Sequence, residues 1–265
     1  MSSLSECEKG LFVLDIVLLT ALGVGGATVF GAVIGFLFKN ISDRYRSATL
    51  GAAAGVMLSA SVFSLVVPSL EYGGGSVFGA AVTALGIIFG GVTIDLLDRA
   101  VKLIGQRIKG DGREGLDGRR HKVLLFVLAI AIHNLPEGIA AGVGFGSGNT
   151  ADALMIAGGI ALQNIPEGMV LISPMLGAGF SPKRTFLWAA LTGVVEVFGT
   201  FLGYFAVVGI LEILPFALAF AGGCMIYVIF DEMIPEAREG GCGRVANYAA
   251  ILGFCAMILF NACLA

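Results

Sequence analysis

Two hexapeptides hold most of the chemistry this chain can offer: His133-Asn134-Leu135-Pro136-Glu137-Gly138 and Gln163-Asn164-Ile165-Pro166-Glu167-Gly168. Residues four apart on a helix share a face. His133 with Glu137, and Gln163 with Glu167, therefore each present two donor groups in one direction. Proline lacks an N–H and displaces the carbonyl four residues earlier, so Pro136 and Pro166 open the backbone at Ile132 and Leu162 beside the polar pairs. One imidazole with carboxylates and amide oxygens suits zinc, iron(II), manganese or cadmium. The imidazole argues against a dedicated magnesium or calcium cage.

Both copies lie inside long apolar runs, and a third carboxylate, Glu196, falls at similar depth in a later run. A charged side chain at the centre of a bilayer costs about 2.5–3.5 kcal/mol even on the mildest scale. Three carboxylates brought together there repel unless a cation bridges them. Glu137 and Glu167 can be shared between two ions, His133 and Gln163 completing one position and Asn134, Asn164 and Glu196 the other. The plain alternative is an interhelical hydrogen-bond cluster that only holds the two segments together.

The elements that must position these groups are membrane spans. The chain is 57% apolar and 13% charged over 265 residues, more apolar surface than a water-soluble globule can hide. Eight runs reach the roughly 20 residues a spanning helix needs: 11–38, 48–70, 76–98, 121–146, 151–176, 184–211, 213–236 and 245–264. They form one transmembrane domain over 1–265, with a glycine-rich, charged loop at 99–120. Basic residues sort by loop: Lys39, Arg44 and Arg46 follow span 1, eight lie from Arg99 to Lys122, Lys183 and Arg184 follow span 5, and Arg238 and Arg244 follow span 7. By the positive-inside rule these loops are cytoplasmic and both termini lie outside, the natural setting being the cell membrane. The two motifs sit about midway along antiparallel spans 4 and 5 and should face each other at one level.

Other polar residues flank this centre. Met57 and Ser64 belong to a stripe on span 2, and Asp95, Asp231, Glu232 and Glu236 close spans 3 and 7; all six are candidates for the way in or out. The five cysteines show no Cys-x-x-Cys spacing, and neither a disulfide framework nor a thiolate metal site is indicated.

At these residues the chain resembles the ZIP (ZRT/IRT-like) family of divalent metal transporters, in particular its GufA-like branch. The duplicated x-Asn-x-Pro-Glu-Gly, the glutamate on span 6 and Asp-Glu-x-Ile-Pro-Glu ending span 7 carry the resemblance. It implies an all-α polytopic fold of eight transmembrane helices with inverted-repeat pseudo-symmetry. His133, Glu137, Gln163 and Glu167 match the family's primary metal position; Asn134, Asn164 and Glu196, with the shared glutamates, match a second. It further implies uptake by alternating access, spans 1, 4, 5 and 6 sliding against 2, 3, 7 and 8. Asn164 stands where some relatives have aspartate, and Val197 follows Glu196 where proline is common.

The expected activity is therefore secondary import of zinc, with iron, manganese or cadmium as further cargo. The metal is substrate, no cofactor is expected, and the chain is not expected to be an enzyme. The expected partners are divalent ions and the lipid bilayer, with a homodimer as a candidate assembly and no nucleic acid. Two other classes share the ligand set: a divalent-cation channel of the same architecture, and an intramembrane metal-dependent hydrolase. Against the latter, His-Asn-Leu-Pro-Glu is not His-Glu-x-x-His.

Overall fold

Lipid offers no hydrogen-bond partners, so a chain this apolar must satisfy its backbone within each segment, and long helices are the result. A computed structural model describes residues 2–37, 42–109, 116–145 and 150–264. The helices are α1 (Ser2–Leu37), α2 (Asp43–Ser59), α3 (Val67–Tyr72), α4 (Val77–Lys109), α5 (Leu116–Gly144), α6 (Thr150–Gly177), α7 (Pro182–Gly209), α8 (Leu214–Val228), α9 (Ile234–Arg238) and α10 (Gly243–Leu264). No strand occurs among the described residues. α2 and α3 form one rod through a π-helical stretch, Ala60–Val66, and α8 and α9 form another through Ile229–Met233.

Local chemistry sets the ends. The side chains of Ser42 and Ser181 cap α2 and α7 by accepting from the backbone N–H groups of Tyr45 and Arg184. Pro182 and Pro215 stand in the first turns of α7 and α8, where a missing N–H costs nothing; Pro68 and Pro235 stand just after the π-helical stretches, where the α ladder is already interrupted. The turn between α3 and α4 passes through Gly74 and Gly75 at φ 73° and 62°, a conformation open to glycine.

Seven helical stretches among the described residues are long and apolar enough to cross a membrane: Phe12–Leu37, Asp43–Tyr72, Val77–Val101, Ala153–Gly177, Pro182–Val208, Leu214–Gly241 and Gly243–Cys263. Against α5 pack α1, α4, α6, α7 and α8. The surface is inverted relative to a soluble protein. Phe89, Phe198, Leu252 and Leu259 are exposed, while Asn134, Glu137, Asn164 and Glu196 are wholly buried. Such a protein is an all-α, multi-pass membrane protein.

The helices fall into two sets. α1 lies along α6 and α7, and α5 along α7 and α6; α2 lies along α10, and α4 along α8. The sets meet where α5 crosses α4 and α8 and where α2 meets α6. The pairing repeats with reversed order, α1 with α6 answering α7 with α5, and the π-helical breaks in the α2–α3 and α8–α9 rods repeat with it.

Two expectations change. The loop expected at 99–120 is shorter, because α4 runs on to Lys109 and α5 begins at Leu116. The residues after Asp98 alternate long charged and aliphatic side chains, good helix formers that continue α4 as an amphipathic rod; 110–115 lie outside the described residues. The helices also run unbroken through Pro136 and Pro166, and the departures from α geometry fall instead at Ala60–Val66 and Ile229–Met233. Arg46 lies 3.5 Å from Glu239, and Arg120 donates to the Gly179 carbonyl at 3.2 Å with its guanidinium over the Phe180 ring.

Candidate metal centre

The centre is built where close helix crossings let short polar side chains reach one another. The glycine ending each hexapeptide sets two of these crossings. A Cβ on Gly138 would lie 2.2 Å from the Glu196 carbonyl oxygen, and one on Gly168 would lie 2.1 Å from that of Thr28. α5 therefore touches α7 at Glu196, and α6 touches α1 at Thr28, backbone to backbone.

Glu196 is the hub of the resulting network. Its Oε1 accepts from Thr28 Oγ1 at 2.5 Å and from Asn134 Nδ2, and its Oε2 accepts from Asn164 Nδ2 at 2.5 Å. One carboxylate thus joins α1, α5, α6 and α7, the whole of the first helix set. Thr28 was not singled out from sequence. It is one hydroxyl among small residues in an apolar run, and nothing in its neighbourhood distinguishes it from threonines such as Thr192 and Thr200, which bond their own helices. Thr28→Val is expected to lower stability by about 1 kcal/mol, the net worth of one such bond within a membrane. Thermal melting in detergent, with an unchanged melting point counting against the contact, checks this.

The second part of the centre is a cavity of about 40 Å³ walled by Met57, His133, Glu137, Glu167, Glu232 and Glu236, with apolar sides from Leu50, Ile130, Val170, Val228 and Met233. Glu137 Oε1 accepts from Gln163 Nε2 at 2.7 Å, so the two hexapeptides meet directly. His133 turns across the boundary between the helix sets: its Nδ1 lies 3.2 Å from Glu232 Oε2 and its Nε2 3.7 Å from Asp98 Oδ1. Asp98, His133 and Glu232 are a set whose ligand atoms all lie within 4.8 Å of one another. Several buried polar atoms have no hydrogen-bond partner, among them His133 Nε2, Glu137 Oε2, Gln163 Oε1, Asn134 Oδ1 and Asn164 Oδ1. Buried polar atoms are normally paired, and acceptors left over in this number, on residues with metal-ligand chemistry, suit a cation.

The sequence-derived candidates therefore divide. His133, Glu137, Glu167, Met57, Glu232 and Glu236 share the cavity, and Gln163 joins it through Glu137. Asn134, Asn164 and Glu196 form the network beside it. Ser64 lines a different, larger cavity of about 390 Å³ with Glu71, Tyr72 and Asn261, toward the α3 end of the α2–α3 rod, whose middle holds Met57. Asp231 is exposed. Asp95 is held by Arg99 and Tyr227. Asp98, which ends span 3 with Asp95 and reads in sequence either as part of an inner exit or as a solvated helix end, is 3% exposed and directed at His133, α4 continuing another three turns past it.

A bundle of lipid-facing helices around imidazole, carboxylate and amide ligands defines a membrane protein that handles divalent cations. Comparison with known proteins agrees. The family model described as ZIP Zinc transporter matches residues 109–261. Zinc transporter ZIP11 of Homo sapiens is 33% identical over 88% of this chain and 92% of its own length. Zinc transporter GufA of Myxococcus xanthus is 36% identical over 89% and 94%, and Zinc transporter ZIPB of Bordetella bronchiseptica is 35% identical over 90% and 78%. The chain belongs to the ZIP zinc transporter family, a family of transporters, and the hydrolase alternative falls with that membership.

Proposed function

We propose that this chain imports zinc into the cytoplasm as a secondary carrier, and that iron(II), manganese and cadmium compete for the same route. The observation that carries this reading is the cavity in which His133, Glu137 and Glu167 face Glu232 and Glu236 inside an apolar bundle. Such a concentration of acidic groups at membrane depth is costly unless a cation passes through it. The relatives' printed names point to zinc.

In this reading Glu137 and Glu167 are shared by two ions. His133 and Gln163 complete the first position; Asn134, Asn164 and Glu196 complete the second. A carboxylate offers about four acceptor sites, and three hydrogen bonds leave Glu196 room for one further partner. All eight rods cross the bilayer of the cell membrane, with the basic segments cytoplasmic and both termini outside. Ser64 and the larger cavity form the outer approach. Ala60, Gly159 and Met257 close it from the centre, since a Cβ on Gly159 would stand 2.3 Å from Met257 Cε and 3.7 Å from the Ala60 Cβ. Met57, Asp98, Glu232 and Glu236 form the inner exit. The set α1, α5, α6 and α7, tied by Glu196, moves against α2, α4, α8 and α10 to expose the ions alternately.

The test is uptake of radioactive zinc into proteoliposomes holding the purified chain. Flux should saturate with rising zinc, and cadmium, iron(II) and manganese should each reduce it. Flux that rises linearly with zinc would replace the carrier with a channel, and no flux above protein-free vesicles would remove the transport reading.

A further inference from the structure

Polar contacts run within each helix set, and at His133 they pass from one set to the other. Thr28, Asn134 and Asn164 meet Glu196, and Gln163 meets Glu137, in the first set. In the second set Ser69 bonds Thr83 and the Pro215 carbonyl, and Tyr227 bonds Asp95. His133, on α5, faces Asp98 and Glu232 of the opposite set. Asp98 stands on α4 and Glu232 on the α8–α9 rod, so the register of these two elements sets how the pair faces His133.

We infer that Tyr227, acting through Asp95, is the positioning residue for the Asp98–Glu232 pair. The inference rests on the transport reading above. Asp95 is gripped from two helices: Tyr227 Oη donates to its Oδ1 at 3.0 Å, and Arg99, one turn along α4, donates from Nε at 2.9 Å and stands 2.8 Å away through Nη2. The grip lies at the end of a backbone contact. A Cβ on Gly90 would lie 2.2 Å from the Phe220 carbonyl oxygen, one on Gly223 would lie 2.2 Å from that of Ile87, and Cys224 Sγ donates to the Gly90 carbonyl. Glycine contact thus brings α4 and α8 together, and the tyrosine fixes their register one turn further on.

The next turn holds the carboxylates. Asp98 lies three residues after Asp95, on the same helix face. Glu232 lies five residues after Tyr227, inside the π-helical stretch Ile229–Met233. A π-helical turn lacks the regular i→i+4 ladder that aims side chains along an α-helix, so the aim of Glu232 depends on what anchors the helix before it. Asp98 and Glu232 carry like charge, and only a rigid frame keeps two such groups facing one imidazole. This assigns Asp95 to the frame and removes it from the cation path, in agreement with its contacts to Arg99 and Tyr227.

Tyr227→Phe deletes the hydroxyl and keeps the ring, so it tests the register without opening a cavity. Initial rates of zinc uptake would be compared for the wild type, Tyr227→Phe, Asp98→Asn and the double variant, each reconstituted at matched protein content. Loss of one hydrogen bond between helices in a membrane predicts about a fivefold lower maximal rate, with the half-saturating zinc concentration within about twofold of wild type. In the Asp98→Asn background, where the pair is already broken, the same deletion should change the rate by less than about twofold. A wild-type rate for Tyr227→Phe, or a full fivefold loss repeated in the Asp98→Asn background, overturns the inference while leaving the transport reading standing. A wild-type chain that moves no zinc overturns both.

Discussion

Alanine at Glu137 is expected to cut zinc uptake by about a hundredfold, the consequence of losing roughly 3 kcal/mol when one partner of a buried charge contact is removed. Glu137 is wholly buried, one of its oxygens is taken by Gln163, and the other has no protein partner although the side chain lines the cavity. Its cost to the fold is therefore not returned by the protein, which makes stability the discriminating measurement. Without metal, Glu137→Ala should melt within about 1–3 kcal/mol of the wild type, since the relief from burying the carboxyl group is offset by the Gln163 Nε2 donor left without its partner. With zinc at about 100 times the dissociation constant, the wild type should gain about 2.7 kcal/mol of stability and the variant almost none. Glu167→Ala should behave alike in transport, because Glu167 lines the same cavity. Full uptake by both variants would end the account of the centre given above. A variant that fails to fold without metal would instead make Glu137 part of an interhelical cluster like the one around Glu196.

Why some of this could be read from sequence, and some not, follows from what each residue contacts. The level at which His133, Glu137, Gln163 and Glu167 meet was legible because spacing along a helix translates directly into depth, and because two antiparallel runs carried the same motif. The partners of Glu196 were only half visible. Amide side chains inside an apolar run are conspicuous, but a threonine is not, since its hydroxyl can always return to its own helix. The charged residues from Asp95 to Lys109 read as an amphipathic extension of span 3, and α4 does run on to Lys109; that Asp98 turns inward to His133 while Asp95 pairs with Arg99 and Tyr227 depends on the neighbouring helices, which spacing alone does not show. The π-helical stretches were invisible for a different reason. Pro68 and Pro235 mark them, but proline at the first turn of a helix and proline at a break have one signature until the neighbouring rods are in place.

The motif glycines carry the second large effect. Gly138→Ala is expected to destabilise the chain by about 3 kcal/mol, at the upper end of overpacking costs, and to lower Tm by roughly 5–10 °C. The added methyl would stand 2.2 Å from the Glu196 carbonyl oxygen, and both atoms are fixed by helix backbones, so α5 and α7 must move apart by about the missing van der Waals distance. That separation also stretches the bond from Asn134 to Glu196, adding a polar loss to the steric one. Gly168→Ala does the same to α6 and α1, where the methyl would meet the Thr28 carbonyl oxygen at 2.1 Å. The two substitutions act on different crossings that share one carboxylate, so their costs should not add; the double variant should fall short of the sum by about 0.5–1 kcal/mol, because the second change acts on a network already loosened. Gly23 and Gly26, on α1, supply the control, since an added methyl at either meets nothing within 4 Å. Alanine there should leave Tm unchanged or raise it through a stiffer unfolded chain, by up to about 1 kcal/mol. If Gly138→Ala melted with the wild type while retaining uptake, close approach would not be the reason this motif ends in glycine, and the Glu196 hub could not be what holds the four helices as one moving body.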